Sequence, residues 1–291
     1  MLHNDKDKFL SVLQQTSAQT GFPLRLLEKD YYLTLILDAI HELSTDLIFK
    51  GGTCLSKIYF NYYRLSEDLD FSINLPTNDI NRSKRRQLIK PIKEGIDSFF
   101  QKFDMKIDPD QKVSFNLSRQ YIYYFYYHSI LLNKEEPIKF EIGLRFKPIM
   151  PIKRGKIQHK FIHPFTKKLL FDTGEINCLS LNELIAEKMR ATATRRIIAP
   201  RDFFDLGYLL KKKINIFDKD ILKLFQIKLK EDNFKTDLKS YKNNLGRTDK
   251  EIDDMKSRIE AELLDVLPMA ERKKFNIDKI LDAINKNFQK I

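Results

Sequence analysis

Residues 8–43 carry apolar positions at helical spacing, interrupted near Gly21-Phe22-Pro23, and Leu33, Leu35, Ile36, Leu37 and Ile40 form an apolar face after Lys29-Asp30. The period then changes. The short apolar run Leu47-Ile48-Phe49 predicts a strand over 46–50, a helix follows over about 52–62, and alternation predicts a second strand over 67–73. A basic helix is expected over 79–103, then successive strands of one sheet at 110–117, 120–132 and 137–146. In the last, Ile138, Phe140, Ile142 and Leu144 alternate with Lys139, Glu141, Gly143 and Arg145, which puts Glu141 on the polar face of a half-buried strand. The aromatic run Tyr121–Tyr127 offers base-stacking rings, but its plainer reading is a buried strand.

After about residue 175 the pattern is helical throughout. Ser180-Leu181-Asn182-Glu183 predicts a capping box opening a helix to about Arg195, and Pro200 favours a fresh start at Arg201-Asp202-Phe203-Phe204-Asp205-Leu206. Asp202 and Asp205 then share nearly one helical face. From Ile216 onward Lys-rich helices alternate with short polar breaks. The expected organisation is an N-terminal lobe over 1–174 and a helical C-terminal lobe over 175–291.

The chain has 291 residues and a net charge of +12, which favours polyanionic partners. From Arg145 to Lys168 there are eight Lys or Arg, two His and no acidic residue. A solvated lysine-rich surface and a phosphate-tracking groove both fit that tract. The two cysteines, Cys54 and Cys178, have no CxxC spacing, which argues against a zinc site or a disulfide framework and for a reducing cytoplasm. No apolar run reaches membrane-span length, and the first residues lack the order of a secretory signal.

The most informative segment is Asp68-Leu69-Asp70. In a strand its two carboxylates point the same way, where they repel and are costly to desolvate unless a cation lies between them. Magnesium takes such oxygens and keeps room for substrate phosphates. Upstream, Gly51-Gly52-Thr53 ends the 46–50 strand, and its backbone can approach a phosphate closely. Glu141 is the third acidic position on a sheet face, with pairing to Lys139 or Arg145 as its plainer role.

Taken in order, Glu28-Lys29-Asp30-Tyr31, Lys50-Gly51-Gly52-Thr53, Arg64-x-Ser66-x-Asp68-Leu69-Asp70-Phe71, Lys139-Phe140-Glu141-Ile142, Ala186-Glu187-Lys188 and Arg201-Asp202-Phe203-Phe204-Asp205-Leu206 resemble the AbiEii/AbiGii toxin family. The resemblance spans about residues 25–210. It implies an α+β chain with a nucleotidyltransferase-fold mixed sheet, flanking helices and an α-helical C-terminal lobe. It further implies a magnesium-dependent nucleotidyltransferase toxin of a toxin–antitoxin or abortive-infection system, using an NTP as substrate. Related MenT-type toxins add nucleotides to the tRNA acceptor end and halt growth, so tRNA or another RNA is the implied acceptor, with a cognate antitoxin as partner. By the same resemblance Asp68 and Asp70 bind metal, Lys50, Gly51, Gly52 and Thr53 form the nucleotide-phosphate turn, and Arg64 and Ser66 flank it. Glu141 helps activate the acceptor, Lys188 contacts the triphosphate, and Asp202 or Asp205 completes the site. Lys188 alone reads as a snorkelling lysine, and either aspartate as a partner of Arg195, Arg196 or Arg201. The alternatives are the same chemistry on a protein or small molecule, which the basic tract disfavours, and a non-catalytic nucleic-acid-binding module, which the intact carboxylates disfavour.

Overall fold

Period-two alternation in residues 120–143 becomes the longest ladder of the protein. The computed structural model describes residues 1–77, 80–111 and 113–290. Its strands are β1 (Leu47–Lys50), β2 (Asp68–Ile73), β3 (Lys106–Ile107), β4 (Ser114–Phe115), β5 (Gln120–Ser129), β6 (Lys134–Gly143), β7 (Lys153–Lys156) and β8 (Glu175–Cys178). They form one mixed sheet in the order β3-β5-β6-β2-β1-β8-β7, with β4 also on β5. The β5–β6, β1–β2 and β7–β8 pairs are antiparallel, whereas β2–β6 and β1–β8 are parallel. The aromatic run alternates as a buried strand should, with Tyr121, Tyr123, Phe125 and Tyr127 inside.

The helices of this part are α1 (Lys6–Thr20), α2 (Leu24–Leu43), α3 (Gly51–Cys54) and α4 (Arg82–Gln101). Gly21 ends α1 in the left-handed conformation, at φ 72°, and Pro23 caps α2, which accounts for the break read there. The helix after β1 continues beyond α3 as a π-helical segment, Leu55–Tyr59. The amphipathic α4 turns Ile89, Ile92, Ile96, Phe99 and Phe100 inward. Phe100 stacks on Phe125 at 3.4 Å between ring centres, and Phe140 packs on Phe71 at 5.1 Å. Apolar side chains thus seal one face of β2 and β6, and the acidic side chains are left for the other. Residue 79, the expected start of the basic helix, and residue 112, within the expected 110–117 strand, lie outside the described residues.

The chain divides into two units, Met1–Leu179 and Ser180–Ile291. The divide falls a few residues beyond the expected one because β8 belongs to the sheet, lying between β1 and β7. The second unit is helical: α5 (Leu181–Thr194), α6 (Pro200–Lys211), α7 (Lys219–Glu231), α8 (Asp249–Ser257), α9 (Ile259–Glu262), α10 (Met269–Arg272) and α11 (Ile277–Phe288). Ser180 accepts the Glu183 N–H at the start of α5, the first half of the capping box expected there. The Glu183 carboxylate, fully buried, binds Lys228 Nζ at 2.8 Å. No described helix is long and apolar enough to cross a membrane.

Candidate active site

Alternation along β2 buries Leu69 and Phe71 completely and leaves Asp68 and Asp70 half-buried on the opposite face. Strand register then assembles the site. Asp70 lies opposite Lys50 of β1 on one side and Glu141 of β6 on the other, while Asp68 lies opposite Lys139. Neighbouring strands run about 4.8 Å apart, so Lys50, Asp70 and Glu141 form a row of charges across three strands. Burial, then the charge of Glu141, pushes the Asp70 carboxyl above its ordinary range against the pull of Lys50. Glu141 goes the other way. Burial would raise it, but Lys50, Lys139 and two hydrogen bonds outweigh that and hold it ionised.

Those hydrogen bonds occupy both Glu141 oxygens: Lys139 Nζ donates to Oε2 at 2.6 Å and Gln120 Nε2 to Oε1 at 2.7 Å. The plainer role considered for Glu141, pairing with Lys139, is therefore present in the structure. Gln120 was not singled out in the sequence. It reaches Glu141 as a diagonal cross-strand neighbour, and only the β5–β6 register reveals that.

The glycine pair makes room for this chemistry. Gly51 sits at φ 78°, and a Cβ there would collide with an Asp70 carboxylate oxygen. A Cβ on Gly52 would lie 2.6 Å from an Arg64 guanidinium nitrogen and 3.4 Å from Ser66 Oγ. Arg64 is 1% exposed, and its Nη1 donates to the Leu65 carbonyl at 2.8 Å. Gly51, Gly52, Asp70, Arg64 and Ser66 are thus drawn together. The buried Thr53 hydroxyl donates to the Asp68 carbonyl at 2.5 Å. That proton ties the turn to the start of β2, which leaves the Thr53 backbone N–H as its donor toward an anion. We expect Gly51→Ala to cost about 1–3 kcal/mol in thermal or denaturant unfolding, from backbone strain. It should also lower nucleotide transfer about 10²-fold by displacing Asp70.

The Glu28-Lys29-Asp30 segment of α2 supports the site from behind. Glu28 accepts from Ser129 Oγ at 2.6 Å and Ile130 N at 2.7 Å, at the end of β5. Lys29 pairs with Glu67, next to Asp68, at 3.2 Å. Asp30 pairs with Lys57 of the π-helical segment at 2.9 Å and accepts from Tyr62 Oη at 2.7 Å. Lys57 also donates to Thr34 Oγ1 at 2.8 Å and to Tyr62 Oη. Burial pulls the Lys57 ammonium below its ordinary range, and Asp30 opposes that.

Magnesium fits this donor set in one particular way. Among the described residues no group of three or more His, Cys, Asp or Glu is arranged to hold a metal alone. Asp68 and Asp70 supply hard oxygens, and magnesium is commonly held by one or two carboxylates plus substrate phosphates. The negative charge that raises Asp70 is what a divalent cation would relieve.

In the second unit Lys188 Nζ lies 2.8 Å from Asp202 Oδ1 and 2.9 Å from Asp205 Oδ2, and Arg195 lies 3.0 Å from Asp202 Oδ2. Burial would raise Asp202, but Lys188 and Arg195 hold it below the ordinary range. Both aspartates are essentially buried, so Lys188 engages the two together rather than one of them.

The profile of the family described as nucleotidyl transferase AbiEii toxin, type IV toxin–antitoxin system, matches residues 35–289. No curated protein matches the sequence. MenT4, a nucleotidyltransferase toxin from Mycobacterium tuberculosis, has a similar fold at 17% identity and TM-score 0.58, covering 95% of this chain and 87% of its own. JHP933 from Helicobacter pylori is similar at 17% identity and TM-score 0.51, covering 92% of each chain. The chain belongs to the AbiEii family: it is a nucleotidyltransferase toxin of a type IV toxin–antitoxin system, with an NTP as substrate and an antitoxin as partner.

Proposed function

We propose that this toxin transfers a nucleoside monophosphate from an NTP to an RNA acceptor, the 3′ end of tRNA, with magnesium as cofactor, and so arrests growth in the cytoplasm. The observation that carries the reading is the in-register row Lys50–Asp70–Glu141, with Gly51 open against Asp70. Transfer is an in-line displacement in which the acceptor oxygen bonds to the α-phosphorus as the α–β bond breaks and pyrophosphate leaves, governed by positioning and charge neutralisation. Asp68 and Asp70 would hold magnesium, which when bound neutralises phosphate charge. The turn Gly51-Gly52-Thr53 receives phosphate oxygens on its backbone N–H groups, and Arg64 and Ser66 stand against it. Glu141, held ionised, orients the acceptor hydroxyl and takes its proton, with Gln120 and Lys139 fixing its carboxylate. In the second unit, the same reading gives Lys188 a triphosphate contact, with Asp202 and Asp205 setting its position.

The test is incubation with each labelled NTP, magnesium and total RNA. Label should enter RNA with the wild type and be absent with Asp68→Asn. Label on a protein or small acceptor in place of RNA would contradict the acceptor. Absence of label on every acceptor would contradict the chemistry proposed for this site.

A further inference from the structure

We propose that the turn His163–Leu169 is a stacking platform for single-stranded RNA, with Phe165 as the ring on which a base lies. This rests on the RNA-acceptor reading and assigns the acceptor a contact outside the carboxylate site. Phe165 is 88% exposed, although burying a phenylalanine side chain is worth about 1.5–3 kcal/mol. Its exposure belongs to an ordered turn. Ile162 bridges to Leu169, His163 N donates to the Lys168 carbonyl at 2.8 Å, and Lys167 N donates to the His163 carbonyl at 3.0 Å. The His163 ring closes the turn from within, its Nδ1 accepting the Phe165 and Thr166 N–H groups at 3.3 Å each. The base of the turn is anchored by fully buried Phe161 and by Ile162 N donating to Thr16 Oγ1 at 3.4 Å. Lys167 Nζ reaches Gln15 at 2.8 Å. An ordered backbone turn therefore presents this ring to solvent.

The surroundings decide what the ring meets. Lys160, Lys167 and Lys168 lie in the stretch 145–168, which has no acidic residue. Farther along the basic tract, Arg154 and Lys156 pair with Glu175 and Asp172, whereas Lys167 of the turn bonds the neutral Gln15 and keeps its charge uncompensated by that contact. An isolated exposed ring among lysines matches the combination used for single strands, in which bases stack and phosphates follow the cations. A protein partner would call for a contiguous apolar patch, whereas the turn adds only Leu169 to Phe165. His163 also walls a cavity of about 500 Å³ that Asp5, Lys8, Tyr31, Leu170 and Phe171 help to line, so polar and apolar groups alternate beside the turn.

The sequence contains no tryptophan, so Phe165→Trp creates a single fluorescent reporter at the platform. Titration with a single-stranded RNA of about 12 nucleotides should quench that fluorescence, and a duplex of the same sequence should quench it far less. By anisotropy with the same labelled strand, Phe165→Ala should weaken binding about five- to 150-fold. Phe165→Leu, which keeps the apolar surface and loses the ring, should bind as poorly as Phe165→Ala. Unchanged affinity in Phe165→Ala together with unquenched fluorescence in Phe165→Trp would overturn the proposal. Restored binding in Phe165→Leu would also overturn it, pointing to simple hydrophobic docking. Ring-dependent RNA binding without labelling of RNA would leave this proposal standing and remove the acceptor reading. Labelling indifferent to residue 165 would do the reverse.

Discussion

Asp70→Asn is expected to abolish nucleotide transfer while leaving the protein folded and, without divalent cations, more stable than the wild type. The loss of activity follows from the site: asparagine keeps the shape but removes the charge that balances a cation on the triphosphate. Removing one such electrostatic contact costs about 10²–10³-fold or more in rate. The gain in stability follows from the raised carboxyl. Burial and Glu141 make the folded state hold the Asp70 proton more tightly than the unfolded chain does. The fold then binds more protons than the unfolded state, so stability falls as pH rises from about 3.9 to the raised folded value. The penalty grows as pH rises through that window, and the neutral amide removes it. We expect a melting temperature about 2–4 °C higher near pH 7, corresponding to about 1 kcal/mol in a unit of this size, and no difference well below pH 3.9. A less stable Asp70→Asn in chelator would contradict this account of the charge row.

Lys57→Met is expected to give the largest loss of stability, about 3–5 kcal/mol, because it leaves Asp30 buried without its partner. Lys57 is 1% exposed and holds Asp30, Thr34 and Tyr62 together. The π-helical segment that carries it continues directly from the glycine turn. Transfer activity should therefore fall together with the melting temperature. Adding Asp30→Asn to Lys57→Met removes the stranded charge and should recover part of the stability, as read in denaturant unfolding. Equal stability of the single and double variants would show that the ion pair is not what holds this region.

The placement of Asp68 and Asp70 on one strand face and of the glycine turn was legible in the sequence because their signals are local. A short apolar run before Gly51-Gly52 and period two in Asp68–Ile73 suffice to place both on neighbouring strands. Glu141 was legible as a polar-face residue, but its pairing with Gln120 and Lys139 was only half visible. Gln120 lies on another strand, and its partner depends on a register that no short motif encodes. The role of Asp30 was hidden for the same reason: Lys57 and Tyr62 come to it from a separate segment, and a lysine within a helix reads as a surface residue. Strands β3, β7 and β8 are two to four residues long and exist through pairing alone, too short for alternation to reveal, whereas β4 falls within the strand expected over 110–117. Thr53 was read as part of the phosphate turn; that its hydroxyl also ties the turn to the Asp68 carbonyl depends on a strand no local pattern brings there. In the second unit, the spacing of Asp202 and Asp205 announced a shared face, and the fold seated Lys188 between them.

In the proposed function Asp68 and Asp70 hold a divalent cation together with the nucleotide. Manganese, a paramagnetic substitute for magnesium, makes that visible. Titrating it by electron paramagnetic resonance with a non-hydrolysable NTP analogue should show nucleotide-dependent binding to the wild type, lost in both Asp68→Asn and Asp70→Asn. Undiminished manganese and nucleotide binding by the two variants would contradict it.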